Sequence, residues 1–195
     1  IQKWANNPIE TQHKVFEDLV RGGALTAFGQ DHDFMSIHSY EDFVKRVPVR
    51  DYEALKPYVD RMVAGENNIL WKGKPLYFAK TSGTTSGAKY IPLTKESMPT
   101  HVEAARNAIL MYINETGNTN FVDGKMIFLQ GSPILKEKKG VQLGRLSGIV
   151  AHYVPKYLQK NRFPSWETNC IEDWETKVEA IVEETLPENM TIISG

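Results

Sequence analysis

The chain has 195 residues, 41% of them hydrophobic, enough to build the core of one domain or of part of a larger one. A formal net charge of −1 and an isoelectric point near 6.6 argue against nucleic acid as a main partner, because such partners require a basic excess. The single cysteine, Cys170, cannot form an internal disulfide, which favours a cytoplasmic protein. No apolar run reaches the length of a membrane span, so we expect no membrane partner.

Residues 1–68 are predicted to form a mostly helical lead-in. Apolar residues at helical spacing indicate a helix over 11–21. Ser39 and Asp51 have the side chains that cap helix N-termini, and they predict helices that begin at the next residue. Residues 24–38 are expected to be loop, and we interpret His32 and its two aspartate neighbours as part of a surface loop and assign no metal site.

Residues 69–195 alternate short apolar runs with helical patterns. Strands are predicted at 69–71, 76–79, 126–129 and 190–193, and helices at 94–114 and 173–186. We expect Val102, Ala105 and Ile109 on the inner face of the first helix, and Trp174, Val178, Ile181, Val182 and Thr185 on that of the second. The tryptophans are expected to anchor cores. This alternation predicts an α/β fold, with a largely parallel sheet flanked by helices.

The stretch at 78–89 reads FAKTSGTTSGAK and carries the strongest signal for function. Gly83 and Gly87 permit backbone conformations that other residues resist, so the chain can wrap closely around a ligand. Hydroxyl groups, free main-chain N–H groups and Lys89 together favour an anion, above all a phosphate. The candidate cofactor-binding residues are Thr81, Ser82, Gly83, Thr84, Thr85, Ser86, Gly87 and Lys89.

This stretch differs from two common nucleotide motifs. The P-loop requires Gly, four residues and then Gly-Lys-Ser/Thr, whereas here Ala88 separates Gly87 from Lys89. No G-x-G-x-x-G occurs, so a dinucleotide fold has no support. The alternative is a flexible linker rich in Ser, Thr and Gly. The apolar residues before the run and the YIPL segment after it favour a structured loop instead.

The run TSGTTSGAK at 81–89 resembles the phosphate-binding loop of the adenylate-forming enzymes. The flanking segments are more specific. The motifs VPVRDYE at 47–53, GENNILW at 65–71 and KYIPLT at 89–94 resemble the acyl acid–amido synthetases known as the Gretchen Hagen family. Thr81 replaces the first of the two serines that most often open the family's loop. The resemblance implies that residues 1–195 are the N-terminal part of a large adenylation domain that is incomplete at its C-terminus.

The same resemblance implies an enzyme that uses ATP and Mg²⁺ to join a carboxylic acid to the amine of an amino acid. Residues for adenine, ribose and magnesium would lie downstream, so the segment alone is expected to be inactive. The residues leave two alternatives open, another adenylate-forming ligase of the acyl–coenzyme A type and a non-catalytic nucleotide-binding module. Arg106, on the helix after the loop, is a candidate for binding the acid, with an exposed helix arginine as the alternative.

Overall fold

The computed structural model describes residues 2–81 and 88–194. The chain forms two compact units, Ile1–Pro75 and Leu76–Gly195. The first unit is helical. Its helices are α1 Gln2–Asn6, α2 Pro8–Gly23, α3 Ala27–Asp31, α4 Tyr40–Arg46 and α5 Tyr52–Val63, with a 3₁₀ turn at Phe34–Ser36.

The predicted caps of α4 and α5 are confirmed. The Ser39 hydroxyl accepts the Asp42 N–H at 3.1 Å, and the Asp51 carboxylate accepts the Ala54 N–H at 2.9 Å. These bonds satisfy donors that have no partner within the helix. Both caps are local in sequence, which is why they could be recognised without the fold.

Three expectations for the first unit are wrong. His32 does not lie in a surface loop, since it is 6% exposed, is stacked on Phe28 and donates from Nδ1 to the Phe28 carbonyl at 2.7 Å. Residues 69–71 do not form a strand. Their segment caps α3 instead, because the carbonyls of Asn68 and Ile69 accept the N–H groups of Ala27 and Phe28 at 2.8 and 3.0 Å. Residues 24–38, expected to be loop, contain α3 and the 3₁₀ turn.

The second unit contains two sheets. Its strands are β1 Tyr77–Lys80, β2 Tyr90–Leu93, β3 Lys125–Phe128, β4 Lys136–Lys138, β5 Val141–Gly144, β6 Arg162–Phe163 and β7 Met190–Ser194. The first sheet has the order β2-β1-β5-β4, with β1 and β5 parallel and the two outer strands antiparallel to their neighbours. The second has the order β6-β3-β7 and is parallel throughout.

The α/β class is therefore confirmed, and the expected parallel arrangement holds for the second sheet, while the first is mixed. Short connections produce the antiparallel pairs. Lys139 and Gly140 have φ angles of 53° and 79° and join β4 to β5 by the tight turn that hairpins favour. A connection this short cannot make the crossover that a parallel pair needs.

Five helices flank these sheets, among the described residues: α6 Met98–Thr116, α7 Leu146–Ala151, α8 Lys156–Gln159, α9 Trp166–Cys170 and α10 Trp174–Thr185. The core includes Ala79, Leu93, Met98 and Ile149, which are buried together. Phe78 and Ala79 are successive residues of β1, yet both are buried, so this strand is covered on both of its faces.

The expected inner faces of two helices are wrong in part. Ala105 and Ile109 of α6 are exposed, whereas Val102 is half-buried. In α10, Trp174, Val178 and Val182 are exposed and Lys177 is buried, because its Nζ donates to the Asn169 carbonyl at 2.8 Å. Trp4, Trp166 and Trp174 are exposed and anchor no core.

Candidate functional site

The loop at 81–89 connects two antiparallel strands. Lys80 at the end of β1 faces Tyr90 at the start of β2. The Thr81 N–H donates to the Lys89 carbonyl at 3.0 Å, and we call this hydrogen-bonded pair the neck of the loop. Ser82 to Gly87, the centre of the predicted phosphate-binding loop, lie outside the described residues. The neck holds the two ends of this segment together at the carboxyl end of β1.

The strands under the neck are firmly packed. Phe78 is 1% exposed and meets the Tyr90 ring edge to face at 6.1 Å. The Leu76 N–H donates to the Leu93 carbonyl at 2.8 Å, one step beyond the paired strand residues. The ends of the loop, Thr81 and Lys89, are therefore attached to well-packed strands, and precise binding sites are built on such elements. The chain then differs from a P-loop in topology as well as in sequence, because a strand follows the loop.

The helix after the hairpin begins later than predicted. Thr94 and Ser97 bond each other reciprocally, through Thr94 N–H to Ser97 Oγ at 3.0 Å and Ser97 N–H to Thr94 Oγ1 at 3.2 Å. These bonds form a turn, and α6 starts at Met98, which is 2% exposed. The predicted start of the helix at residue 94 was therefore wrong, since the Thr94 hydroxyl takes part in the turn before the helix.

Arg106 lies on the exposed side of α6. Its side chain is 62% exposed, and its guanidinium lies 3.9 Å from the Glu103 carboxylate. A pair at this distance and exposure is weak and easily exchanged. A neighbouring groove of about 410 Å³ is lined by Ala108, Ile109, Tyr112, Phe121, Thr191, Ile192 and Ile193. Arg106 itself is not part of that lining.

The carboxyl ends of several strands meet beside the loop. β1 and β5 are parallel neighbours, with Ala79 opposite Gly144, so both run toward the same edge. The segment after β3 packs on the segment after β5, where the Gly131 N–H donates to Ser147 Oγ at 3.0 Å. A Cβ on Gly148 would lie 2.3 Å from the Ser132 carbonyl oxygen, so only glycine allows this approach. In open α/β sheets this edge is where ligands bind.

A second pocket was not predicted from the sequence. It lies where β3 and β6 end, and its volume is about 310 Å³. Its lining residues are Gln130, Ala151, Gln159, Arg162, Phe163, Pro164, Ser165, Trp166 and Asn169. The residues come from four separate parts of the chain, so no local motif marks the pocket. Pro164-Ser165, a helix start directly after a short strand, is the one local signal of its position.

Glu184 supports the wall of this pocket. Its carboxylate accepts the Ser165 N–H at 2.6 Å, the Ser165 hydroxyl at 2.7 Å and the Thr168 hydroxyl at 2.5 Å. Burial raises the pKa of Glu184, but the hydrogen bonds from Ser165 and Thr168 outweigh it, so the net pKa is lowered. Glu184 is thus an ionised group that fixes the start of α9.

The described residues contain no cluster of three or more His, Cys, Asp or Glu side chains that could hold a metal ion. Within the same residues, every helix is too short or too polar to cross a bilayer.

Residues 1–178 match the N-terminal domain of the GH3 family. Among curated relatives, the indole-3-acetic acid-amido synthetase GH3.5 of Arabidopsis thaliana is 27% identical over 112 residues, 57% of this chain and 18% of that protein. The jasmonoyl–L-amino acid synthetase JAR4 of Nicotiana attenuata is 28% identical over 138 residues, 69% of this chain and 23% of that protein. The chain thus spans about a fifth of the length of these relatives.

The fold agrees with a solved structure titled GH3.15 acyl acid amido synthetase. The TM-score is 0.69 at 21% identity, over 90% of this chain and 31% of that chain. At this identity the likeness establishes the fold. Because the family match covers most of the residues, from 1 to 178, the chain belongs to the GH3 (Gretchen Hagen) family and carries its N-terminal domain.

Proposed function

We propose that the protein is an ATP-dependent acyl acid–amido synthetase. It would activate a carboxylic acid as an acyl-adenylate and transfer the acyl group to the amine of an amino acid. Membership of the GH3 family supports this, together with relatives named as amido synthetases for indole-3-acetic acid and for jasmonoyl conjugates. The lone cysteine fits a reducing compartment, and we place the enzyme in the cytoplasm.

The observation that carries the proposal is the closed neck of the loop. The Thr81–Lys89 hydrogen bond holds the two ends of the hydroxyl- and glycine-rich segment together at the carboxyl end of β1, which supports the proposal. That donor set fits the phosphates of ATP, because main-chain N–H and hydroxyl groups aimed at an anion need no reorganisation as charge develops. In this proposal the binding residues are those from Thr81 to Gly87, together with Lys89.

Lys89 supplies a positive charge at the end of the loop. It is half-buried, so its charge acts in a lower dielectric than that of water. Mg²⁺, when bound to the phosphates, would offset more of their charge. We assign no magnesium ligand to this chain.

The reaction would proceed in two steps. A carboxylate oxygen of the acid attacks the α-phosphorus of ATP, and pyrophosphate leaves. The amino group of the second substrate then attacks the acyl carbon, AMP leaves and the nitrogen loses a proton. The loop would serve the first step by stabilising charge on the phosphates.

Arg106 is our candidate for binding the acid. It lies eight residues after Met98, the first residue of α6, or roughly 12 Å along the axis. That distance would place its guanidinium away from the phosphates and nearer the distal part of an acyl group. Its weak pair with Glu103 can be exchanged for a substrate carboxylate.

The experiment is product analysis with the full-length protein, ATP, Mg²⁺, a panel of carboxylic acids and a mixture of amino acids. Mass spectrometry should find an acyl–amino acid amide, with AMP formed in equal amount. Adding coenzyme A to the same reactions tests the other acceptor. A thioester in place of the amide would contradict the proposed acceptor, and the absence of AMP with every acid would contradict the enzyme.

A further inference from the structure

The pocket at the carboxyl ends of β3 and β6 has a positive group in its wall. Arg162 begins β6, lies half-buried and packs its guanidinium over the Phe128 ring at 5.2 Å. Burial lowers the pKa of this guanidinium from its ordinary value. No carboxylate of the described residues forms an ion pair with it. A half-buried arginine without an acidic partner would be stabilised by an anionic group of a ligand.

Gln130 faces the same pocket and has an unused donor. Its Oε1 accepts a short hydrogen bond from Arg162 Nη2, which fixes the orientation of the amide. Its Nε2 is then buried without a partner, as is Nε of Arg162. A buried donor left unpaired is unfavourable, because it has lost its hydrogen bonds to water and gained none from the protein. The two unused donors are therefore sites that an acceptor group on a ligand would satisfy.

Asn169 contributes an unused acceptor. It is 2% exposed, and its Nδ2 donates to the carbonyls of Pro164 and Ser165 at 3.1 and 3.0 Å. Because both partners are acceptors, the amide cannot be flipped, and Oδ1 is the atom without a partner. The pocket wall thus holds unused donors and an unused acceptor within one small cavity.

The remaining walls are aromatic. Phe163 and Trp166 line the pocket, and Trp166 is 46% exposed at its rim. The Trp166 ring is positioned by His152, which meets it edge to face at 5.2 Å and bonds the Pro133 carbonyl at 2.8 Å. A volume of about 310 Å³ is at the lower end for small-molecule pockets, which favours a small ligand.

We infer that this pocket binds an α-amino acid, its carboxylate on Arg162 and Gln130, its ammonium on Asn169 Oδ1 and its side chain against Phe163 and Trp166. The inference rests on the proposed function, in which an amino acid is the acyl acceptor. In this inference, binding would rotate the Gln130 and Arg162 side chains slightly, so that their unused donors, which are buried in the free protein, reach the carboxylate.

Steady-state kinetics of the full-length protein test this pocket through Arg162→Gln. At saturating ATP and acid, the variant should raise the KM for the amino acid at least tenfold. It should leave acid-dependent exchange of pyrophosphate into ATP within about twofold, since that step needs no amine. Arg162→Lys should recover only part of the loss, because a point charge lacks the planar fork of guanidinium. An unchanged KM for the amino acid would overturn the inference.

Arg145→Gln is the matched control. Arg145 is an exposed arginine whose aliphatic stem lies over Gly131, and its replacement changes the net charge identically. It should leave the KM for the amino acid within about twofold. An equal rise in both variants would mean a general electrostatic effect and would also overturn the inference.

Trp166→Ala keeps the test usable if Arg162→Gln fails to fold, because Trp166 is partly exposed. It should weaken the use of leucine and phenylalanine more than that of glycine. An unaltered preference among these amino acids would count against the pocket.

Direct binding separates the inference from the proposed function. By saturation-transfer NMR without ATP, L-leucine should give a signal that Arg162→Gln removes, while acetate and methylamine should bind more weakly. If no acid supports exchange but leucine still binds in this way, the enzyme proposal fails and the pocket stands. If exchange occurs and leucine shows no Arg162-dependent binding, the pocket fails alone.

Discussion

The main-chain N–H of Thr81 donates a hydrogen bond to the carbonyl oxygen of Lys89 at 3.0 Å. This bond continues the β1–β2 ladder by one step and makes the segment between the two residues a closed loop. The two ends of the loop therefore belong to an antiparallel pair of strands, of which β1 also pairs in parallel with β5. Both ends of the loop, Thr81 and Lys89, thus lie at the carboxyl end of β1, and in open α/β sheets ligands bind at this edge.

Replacement of Thr84 by Ala should slow adenylation by roughly 10²-fold, the effect of removing one donor that acts on the transition state. The measurement is the rate of acid-dependent pyrophosphate exchange in the full-length protein. Thr100→Ala removes the same hydroxyl from an exposed position on α6 and is the control. Wild-type rates in Thr84→Ala would remove this hydroxyl from the mechanism.

Replacement of Arg106 by Ala should raise the KM for the acid and leave the KM for ATP nearly unchanged. The effect should be largest for acids with a second anionic or polar group, because the guanidinium would contact that group. Glu103→Ala is the control, since it removes the partner of Arg106 and should not raise the KM for such acids. Equal kinetics of the Arg106 variant across neutral and polar acids would mean that Arg106 is only a surface residue.

Replacement of Glu184 by Gln should lower the free energy of unfolding by roughly 1–3 kcal/mol at pH 7, because an amide cannot accept all of the bonds from Ser165 and Thr168. The folded-state pKa of Glu184 lies below its ordinary value of 4.5. Its stabilisation is therefore complete above that value and is lost as the pH falls through the lowered pKa.

Urea unfolding of wild type and Glu184→Gln between pH 7 and pH 3 checks this dependence. The difference between the two proteins should shrink at the acid end. Glu183→Gln, an exposed neighbour on the same helix, should stay within about 0.5 kcal/mol of wild type throughout. A difference for Glu184→Gln that stays constant with pH would contradict the role of the carboxylate.

Replacement of Gly148 by Ala should destabilise the protein by roughly 1–3 kcal/mol, the usual cost of overpacking. An added Cβ would lie 2.3 Å from the Ser132 carbonyl oxygen, where the segments after β3 and β5 meet. In an ordinary helix the same change stabilises by about 0.5–1 kcal/mol. The sign of the shift in the urea midpoint therefore decides whether this close approach exists in solution.

Features that depend on near neighbours could be predicted from the sequence. The Ser39 and Asp51 caps each bond a donor three residues ahead, so a short pattern contains both partners. The strand before the loop was predicted for the same reason, whereas no strand was predicted for the YIPL segment that forms β2. The α/β class also follows from the alternation of apolar runs, which needs no knowledge of distant contacts.

Features that depend on distant partners could not be predicted. Lys177 lies on the buried side of α10, because its ammonium donates to the carbonyl of Asn169. Apolar residues had been expected on the buried side of this helix. Gln130 and Arg162 meet across 32 positions of the chain. Residues 69–71 have strand-like composition, but the carbonyls of Asn68 and Ile69 cap α3.

The central proposal is that the full-length protein activates a carboxylic acid with ATP, and acid-dependent exchange of labelled pyrophosphate into ATP tests it most directly. The full-length protein is incubated with ATP, Mg²⁺ and labelled pyrophosphate, with each acid of a panel and without any amino acid. We predict label in ATP with at least one acid, none without acid, and a rate in Thr84→Ala lower by roughly 10²-fold. No exchange with any acid, in protein that is folded and binds ATP, would contradict the account.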